Sequence, residues 1–236
     1  MIGPSMLLEG LHGGALDAAL ATKFTIAEER VVIGSGGHER DVTLRKPANA
    51  DHLISEADYV MDERLPYWAD LWPSARVLSG HLLTLEGHGR RLLEMGCGLG
   101  LASIAALLAG FDVTSTDYYE DALHVARANA ARVVGREPTV RMVNWRHWPD
   151  DLGTFDVVIA ADVLYEKEYA TLVGDCLARA LAPGGMAIVA DPGRLALPAF
   201  REHLPACGLQ QVACPTIPFE EGTVRQVIQL LEIRPA

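Results

Sequence analysis

Three glycines spaced two apart, Gly96, Gly98 and Gly100, follow the apolar run Leu92-Leu93-Glu94-Met95 and precede an Ala/Leu-rich helical pattern from Leu101 to Leu108. These residues read as a strand, a tight turn and a helix start. Glycine suits backbone that takes φ > 0 or lies close against a ligand, and the helix behind it offers N–H groups without partners. A turn serving only packing uses the same residue, so spacing must decide. A dinucleotide fingerprint, G-x-G-x-x-G, places its third glycine where this chain has Leu101. Asp117 lies 21 positions after Gly96 (117 − 96), at the end of the strand pattern Phe111-Asp112-Val113-Thr114-Ser115-Thr116-Asp117. An acid at that offset accepts hydrogen bonds from ribose hydroxyls in nucleoside-binding α/β folds, because two carboxylate oxygens can hold a vicinal diol. It can equally cap the helical pattern Tyr118 to Val134.

Further candidates sit at the ends of later apolar runs. Thr139 to Asn144 reads as a strand followed by Trp145-Arg146-His147-Trp148-Pro149, whose polar residue and aromatic suit an adenine edge and face, with His147 read as solvent-facing. Phe155 to Asp162 is a near-continuous apolar run, the signature of a buried parallel strand, and it ends in Ala161-Asp162-Val163-Leu164-Tyr165. Upstream, Pro66-Tyr67-Trp68-Ala69-Asp70-Leu71-Trp72-Pro73 places two tryptophans around an acid ahead of helical spacing over Ser74 to Leu85. That stretch is either an aromatic anchor for a helix under the sheet or a lid whose tryptophan covers a flat or cationic ligand.

The elements that must position these residues alternate. A helix to Leu181 follows Tyr165, Pro183-Gly184-Gly185 stops it, and Met186 to Ala190 reads as a fifth strand leading into Asp191-Pro192-Gly193-Arg194. Pro198 to Cys207 reads as a helix, and Gln210 to Cys214 and Val224 to Leu231 as a strand pair joined by a loop. The β/α alternation implies an α/β fold, a Rossmann-like parallel sheet with helices on both faces. Ligands of such sheets bind outside the carboxyl ends of the strands, where Gly96 to Gly100, Asp117, Asn144 and Asp162 all fall. Residues 1–65 read as an N-terminal extension and 66–236 as the catalytic domain. The extension carries a helix over Ala15 to Thr22, strand segments at Thr25-Ile26, Val31 to Ile33 and Asp41 to Arg45 that form a β-hairpin, and a polar short helix or loop over Asp51 to Met61.

The 236 residues carry a net charge of −11, which argues against a broad nucleic-acid footprint and fits a basic partner or cationic substrate group. Cys97, Cys176, Cys207 and Cys214 form no C-x-x-C pair and no histidine pair has ligand spacing, so neither a disulfide framework nor a metal site is expected, and reduced thiols point to a cytoplasmic setting. No signal peptide is read at the N-terminus, and the apolar runs fall short of the ~20 residues of a membrane span.

The pattern Glu94-x-Gly96-x-Gly98-x-Gly100, with Asp117 downstream, resembles motif I of the seven-strand S-adenosylmethionine methyltransferases. The Trp72 helix, Asn144-Trp145 and the Asp-x-x-Tyr pattern of Asp162 to Tyr165 resemble the protein-lysine methyltransferase group called methyltransferase family 16, and Pro66-Tyr67-Trp68-Ala69, Trp72-Pro73 and Asp191-Pro192-Gly193-Arg194 look most like its electron-transfer flavoprotein β-subunit branch. The resemblance implies that Trp72 flanks the cofactor and that Glu94 and Gly96, Cys97 and Gly98 line its amino-acid end. By the same resemblance Asp117 holds the ribose, Asn144 and Trp145 the adenine, and Ala161 contacts the cofactor through its backbone. Asp162 and Tyr165 would border the substrate amine. Many members have Asp where this chain has Asn144. The implied activity is methyl transfer to an amine nitrogen of a protein lysine; the alternatives are a small-molecule amine or heteroaromatic N-methyltransferase and a non-catalytic cofactor-binding protein. No membrane or nucleic-acid partner is expected.

Overall fold

The fold is that of a computed structural model, which describes residues 8, 10–49, 53 and 66–236. Helix α1 (Gly13–Lys23) precedes strands β1 (Ile26–Ile33) and β2 (Arg40–Pro47), which pair antiparallel. The segments expected at Thr25-Ile26 and Val31 to Ile33 are one strand, because Glu28 to Arg30 pair without interruption with Thr43 to Arg45. The short helix or loop expected over Asp51 to Met61 lies outside the described residues, apart from Leu53.

The remaining elements are α2 (Pro73–Leu82), β3 (Arg91–Met95), α3 (Leu101–Leu108), β4 (Asp112–Asp117), α4 (Glu120–Val134), β5 (Thr139–Met142), β6 (Phe155–Ala161), α5 (Tyr169–Ala180), β7 (Leu181–Asp191), α6 (Leu197–His203), β8 (Leu209–Ala213), β9 (Thr216–Glu221) and β10 (Val224–Pro235). The sheet order is β5-β4-β3-β6-β7-β10-β8. Its first five members are parallel, and β10 runs antiparallel to β7 and β8. Strand order reverses between β3 and β6, the switch point at which α/β sheets open a ligand crevice.

Both faces of the sheet are buried, and the strand sequences show why. Leu92, Val157, Ile159, Ile188 and Leu230 pack on the face that holds α2 and α3. Their neighbours Leu93, Val158, Ala160, Val189 and Leu231 pack on the face of α5 and α6, the period-two alternation of a strand covered on both sides. The N-terminal elements join the first core: Leu16, Leu20, Val31, Val42 and Leu44 cluster with Leu101 and Ala105. Asn129 on α4, fully buried, fastens them to the glycine loop. Its amide oxygen accepts from Arg45 N–H at 2.8 Å, and its NH2 donates to the carbonyls of Arg45 and Leu99 at 3.0 Å each.

Three expectations need correction. The helix after Tyr165 begins at Tyr169, since 162–168 form a connecting turn. Pro183-Gly184-Gly185 does not stand between elements but bulges out within β7: between the pairs Phe155↔Leu181 and Val157↔Met186, β6 advances two residues (157 − 155) and β7 five (186 − 181). The loop expected between the terminal strands contains β9, which pairs with the first half of β10.

Gly100 is a position in the loop where glycine is required. It starts α3 at φ +81°, and a Cβ there would stand 2.7 Å from Ala126 Cβ and 2.9 Å from its Cα on α4. Gly100→Ala is therefore expected to cost about 2–4 kcal/mol in urea unfolding, from left-handed strain plus overpacking. A loss below about 0.5 kcal/mol would show that α3 and α4 separate freely.

Candidate active site

The carboxyl ends of β3, β4, β5 and β6 open into one cavity of about 1020 Å³, large for a small-molecule site. Every residue proposed from the sequence as cofactor-binding or catalytic lines it: Trp72, Glu94, Gly96, Cys97, Gly98, Asp117, Asn144, Trp145, Ala161, Asp162 and Tyr165.

The glycine loop forms the floor. Gly96 and Cys97 both donate N–H to the Thr116 carbonyl at 2.9 Å, and Gly100 N–H donates to Cys97 O at 2.8 Å, which folds the loop back over β4. Gly96, Gly98 and Gly100 all have positive φ. At Gly96 a Cβ would lie 3.4 Å from Val163 and 3.6 Å from the Trp145 ring, so backbone runs directly against an aromatic wall.

Asp117 is buried at the end of β4, where it accepts Gly98 N–H on one oxygen and Tyr119 N–H on the other, both at 3.0 Å. Burial raises its pKa and these backbone donors oppose the shift. A carboxylate has about four acceptor positions, so acceptor capacity remains for a hydroxyl donor. The residues thus fit a nucleoside: a two-oxygen acceptor, a backbone floor without side chains and the flat Trp145 stand around one space. Asn144 also performs a local task, since its Oδ1 accepts Arg146 N–H at 3.0 Å and caps the 3-10 turn Trp145–His147.

Glu94 lies beneath the loop, 3 % exposed. Its Oε2 accepts the Ser103 hydroxyl in a short contact, and Ser103 meets Ser115 Oγ at 2.5 Å. Burial is the main cause that pushes its pKa up to about 8. Folding therefore binds a proton on Glu94 that the unfolded chain releases above its ordinary range near 4.5. The stability this contributes is complete below pH 4.5 and lost progressively as pH rises toward 8, with an upper bound of about 5 kcal/mol. Glu94→Gln, locked in the neutral form, is expected to show a flatter decline in melting temperature between pH 5 and pH 8 than the parent chain. Parallel curves would place the proton elsewhere.

Asp162 closes the other side. It follows β6 in the left-handed region at φ +61°, buried, with its N–H on the Ala190 carbonyl of β7 at 2.9 Å. Arg194 Nε donates to its Oδ1 at 2.5 Å and Ser74 Oγ to its Oδ2 at 3.1 Å. The Arg194 guanidinium lies 5.3 Å from the Trp72 ring centroid, and the Arg194 backbone N–H donates to Asp191 Oδ1 at 2.7 Å. Aromatic rings in edge-to-face contact make the rim: Trp72 with Tyr67 at 5.9 Å, Tyr67 with Tyr165 at 5.4 Å, Tyr165 with Tyr169 at 5.0 Å, and Tyr169 with Trp145 at 5.6 Å. Burial raises the Tyr165 phenol far above its ordinary range, so Tyr165 is a neutral hydroxyl.

The aromatic stretch before α2 divides between the core and the cavity. Trp68 is the buried anchor, packed edge-on against Phe24, and Leu78 and Leu82 carry α2 into the core. Trp72 faces the cavity, its Nε1 donating to Tyr67 O at 2.9 Å. The sequence reading missed Tyr169 and Arg194 as cavity residues, and the buried Ser74 as a partner of Asp162. Arg194 stood within the quoted Asp191-Pro192-Gly193-Arg194 segment, but nothing local to it signals a partner 32 residues away.

A family model described as lysine methyltransferase matches residues 67–194. The electron transfer flavoprotein beta subunit lysine methyltransferase of Xenopus laevis is 31% identical over 145 residues, 55% of this chain and 53% of that protein. The protein N-lysine methyltransferase METTL21A of Danio rerio is 35% identical over 115 residues, 45% of this chain and 52% of that protein. The chain thus spans about half the length of these relatives. Among solved structures, the magnesium protoporphyrin IX methyltransferase of Synechocystis with bound SAM superposes with a TM-score of 0.57 at 21% identity, covering 78% of this chain and 94% of that one. At that identity the likeness shows the fold alone, a Rossmann-like methyltransferase sheet. The cavity walls from Tyr67 to Arg194 coincide with the matched span 67–194, which is more than half of the sequence, and the chain belongs to the lysine methyltransferase family.

Proposed function

We propose that the chain transfers a methyl group from S-adenosylmethionine to the side-chain amine of a lysine on a protein substrate, with residues 66–236 as the catalytic domain and residues 1–65 as its extension. The observation that carries this reading is the placement of the Asp162 carboxylate in the same cavity as the glycine loop and Asp117, beneath a rim of aromatic rings. Support also comes from family membership and from the lysine methyltransferase names of the relatives.

When bound, S-adenosylmethionine supplies an electrophilic methyl on a sulfonium. The protein's part is alignment and exclusion of water. Gly96 to Gly98 would cradle the amino-acid end, Asp117 would hold the ribose hydroxyls, and Asn144 and Trp145 would bound the adenine. The Ala161 backbone and Trp72 confine the reacting end. A lysine amine has a reference pKa of ~10.4 and must lose its proton to attack. Tyr67, Trp72 and Tyr165 form a narrow apolar mouth that strips water from an ammonium and lowers its pKa. Methyl transfer would leave positive charge on the nitrogen, and the Asp162 carboxylate would be the group that balances it. A carboxylate that meets a growing cation binds the transition state more tightly than the neutral amine.

The test is transfer of labelled methyl from S-adenosylmethionine into a lysate, separated into protein and small-molecule fractions, followed by amino-acid hydrolysis. Methyl-lysine from the protein fraction is expected. Label confined to small molecules would replace this reading with a metabolite N-methyltransferase, and cofactor binding without label in either fraction would make the chain a non-catalytic binder.

A further inference from the structure

Outside the cavity, on the opposite face of α5, three donors of different chemistry converge. Asp175 lies on α5, while His203 ends α6 and Cys207 ends the 3-10 turn Leu204–Cys207 that continues it. Their ligand atoms all lie within 4.8 Å of one another. His203 Nε2 is 2.8 Å from Asp175 Oδ1, and Cys207 Sγ donates to the same oxygen at 3.3 Å. His203 and Cys207 are four residues apart (207 − 203), one helical turn, so their side chains emerge on one face.

The packing allows this convergence through a single glycine. A Cβ at Gly174 on α5 would stand 3.0 Å from His203 Cδ2 and 3.4 Å from Cys207 Sγ. Without one, the segment carrying both donors settles directly against α5. The arrangement does not suit a cysteine nucleophile, which needs the imidazole between thiol and acid. Here the acid is the hub that accepts from both. Burial together with the Asp175 contact pushes the thiol up to about 11, which keeps it protonated.

We propose that Asp175, His203 and Cys207 form a zinc-binding site with three protein ligands and an open fourth position. Sulfur, imidazole nitrogen and carboxylate oxygen are the zinc donor set. With Zn–S of ~2.3 Å and Zn–N and Zn–O of ~2.0–2.2 Å, tetrahedral geometry requires N···O of about 3.3 Å and S···O of about 3.6 Å. The two separations, 2.8 and 3.3 Å, need to open by about half an ångström or less, within reach of side-chain rotation because Asp175 is largely exposed. Zinc would displace the thiol proton that Cys207 now directs at Asp175, so binding releases a proton, and it would clamp α6 to α5. The local spacing that argued against a metal site overlooked this set because Asp175 lies 28 residues before His203.

The test uses the full chain, stripped with a chelator and titrated with Zn²⁺ by calorimetry and with Co²⁺ by absorption spectroscopy. One equivalent of Zn²⁺ is expected to bind with proton release and to raise the melting temperature, and Co²⁺ is expected to give a thiolate charge-transfer band. Cys207→Ala and His203→Ala should each weaken Zn²⁺ by more than the ~10–100-fold that loss of an outer-shell partner costs, and Cys207→Ala should abolish the Co²⁺ band. Neither position lines the cavity, so cofactor affinity reports that each variant is folded. Absence of saturable Zn²⁺ binding, or binding of one equivalent that survives unchanged in both folded variants, would overturn the proposal.

Discussion

Asp117→Asn is expected to weaken S-adenosylmethionine binding by roughly 10²–10⁴-fold while leaving the sheet folded. The native carboxylate does two things at once. It fixes the glycine loop by accepting Gly98 N–H and Tyr119 N–H, and it offers its remaining acceptor capacity to the ribose hydroxyls. Each hydrogen bond to a charged group is worth ~1.5–3 kcal/mol, so two lost hydroxyl contacts give ~3–6 kcal/mol. An asparagine turns one of the two oxygens into an NH2 donor. Wherever that donor points it faces another donor, either a backbone N–H or a hydroxyl that must then reverse. Asn is preferable to Ala because it retains one acceptor for the loop. Calorimetric titration with S-adenosylmethionine or its demethylated product measures the loss, and thermal unfolding verifies the fold. An affinity within about threefold of the parent's, less than the ~1.4 kcal/mol of a tenfold change, would refute the ribose role and return Asp117 to a loop brace.

The parts of this site that were legible in the sequence are those whose cause is local. An apolar run entering alternate glycines can only be a strand meeting a tight turn, and Gly96 to Gly100 adopt the positive φ that such a turn demands. Asp117 was legible because a strand of this length followed by a helix puts its last residue at the sheet edge, beside the loop. The near-continuous apolar runs of β6 and β7 announced burial on both faces, and the two hydrophobic clusters divide their alternate residues accordingly. What stayed hidden depends on which strand ends become neighbours. Arg194 reaches Asp162 because β6 and β7 are adjacent and parallel, which brings both carboxyl ends to one place. Tyr67 and Tyr169 enter the rim from a segment before α2 and from the start of α5, and no periodicity connects them. Likewise Pro183-Gly184-Gly185 has the composition of a stop signal, yet β7 absorbs it as a bulge because Leu181 already pairs with Phe155.

Asp162→Asn is expected to lower turnover by about 10²–10³-fold, the loss typical of one group that stabilises transition-state charge, with S-adenosylmethionine affinity essentially unchanged. Asparagine is chosen for a backbone reason. Position 162 sits at φ +61°, where Asn is tolerated and Ala costs about 1–2 kcal/mol, so an alanine variant would mix strain with lost charge. The amide oxygen can still accept from Arg194 or Ser74, which keeps the loop braced. What vanishes is the negative charge. Arg194 supplies the contrasting variant. Its guanidinium already occupies one oxygen of Asp162, so an incoming amine shares or displaces that contact, and Arg194→Gln leaves Asp162 beside the buried Asp191 without a cation. Breaking a buried pair costs ~3–5 kcal/mol, and Arg194 is one-third exposed, so about 1–3 kcal/mol of stability is expected to go in urea unfolding. Both variants break the buried Asp162–Arg194 pair, so each is expected to lose stability, but only Asp162→Asn is expected to lower turnover per folded molecule. Single-turnover methyl transfer at saturating cofactor, read beside the unfolding curves, decides between them. If Asp162→Asn turns over at the parent rate, the carboxylate is a brace for Arg194 and Ser74, and the charge that meets the substrate amine has to be sought elsewhere on the rim.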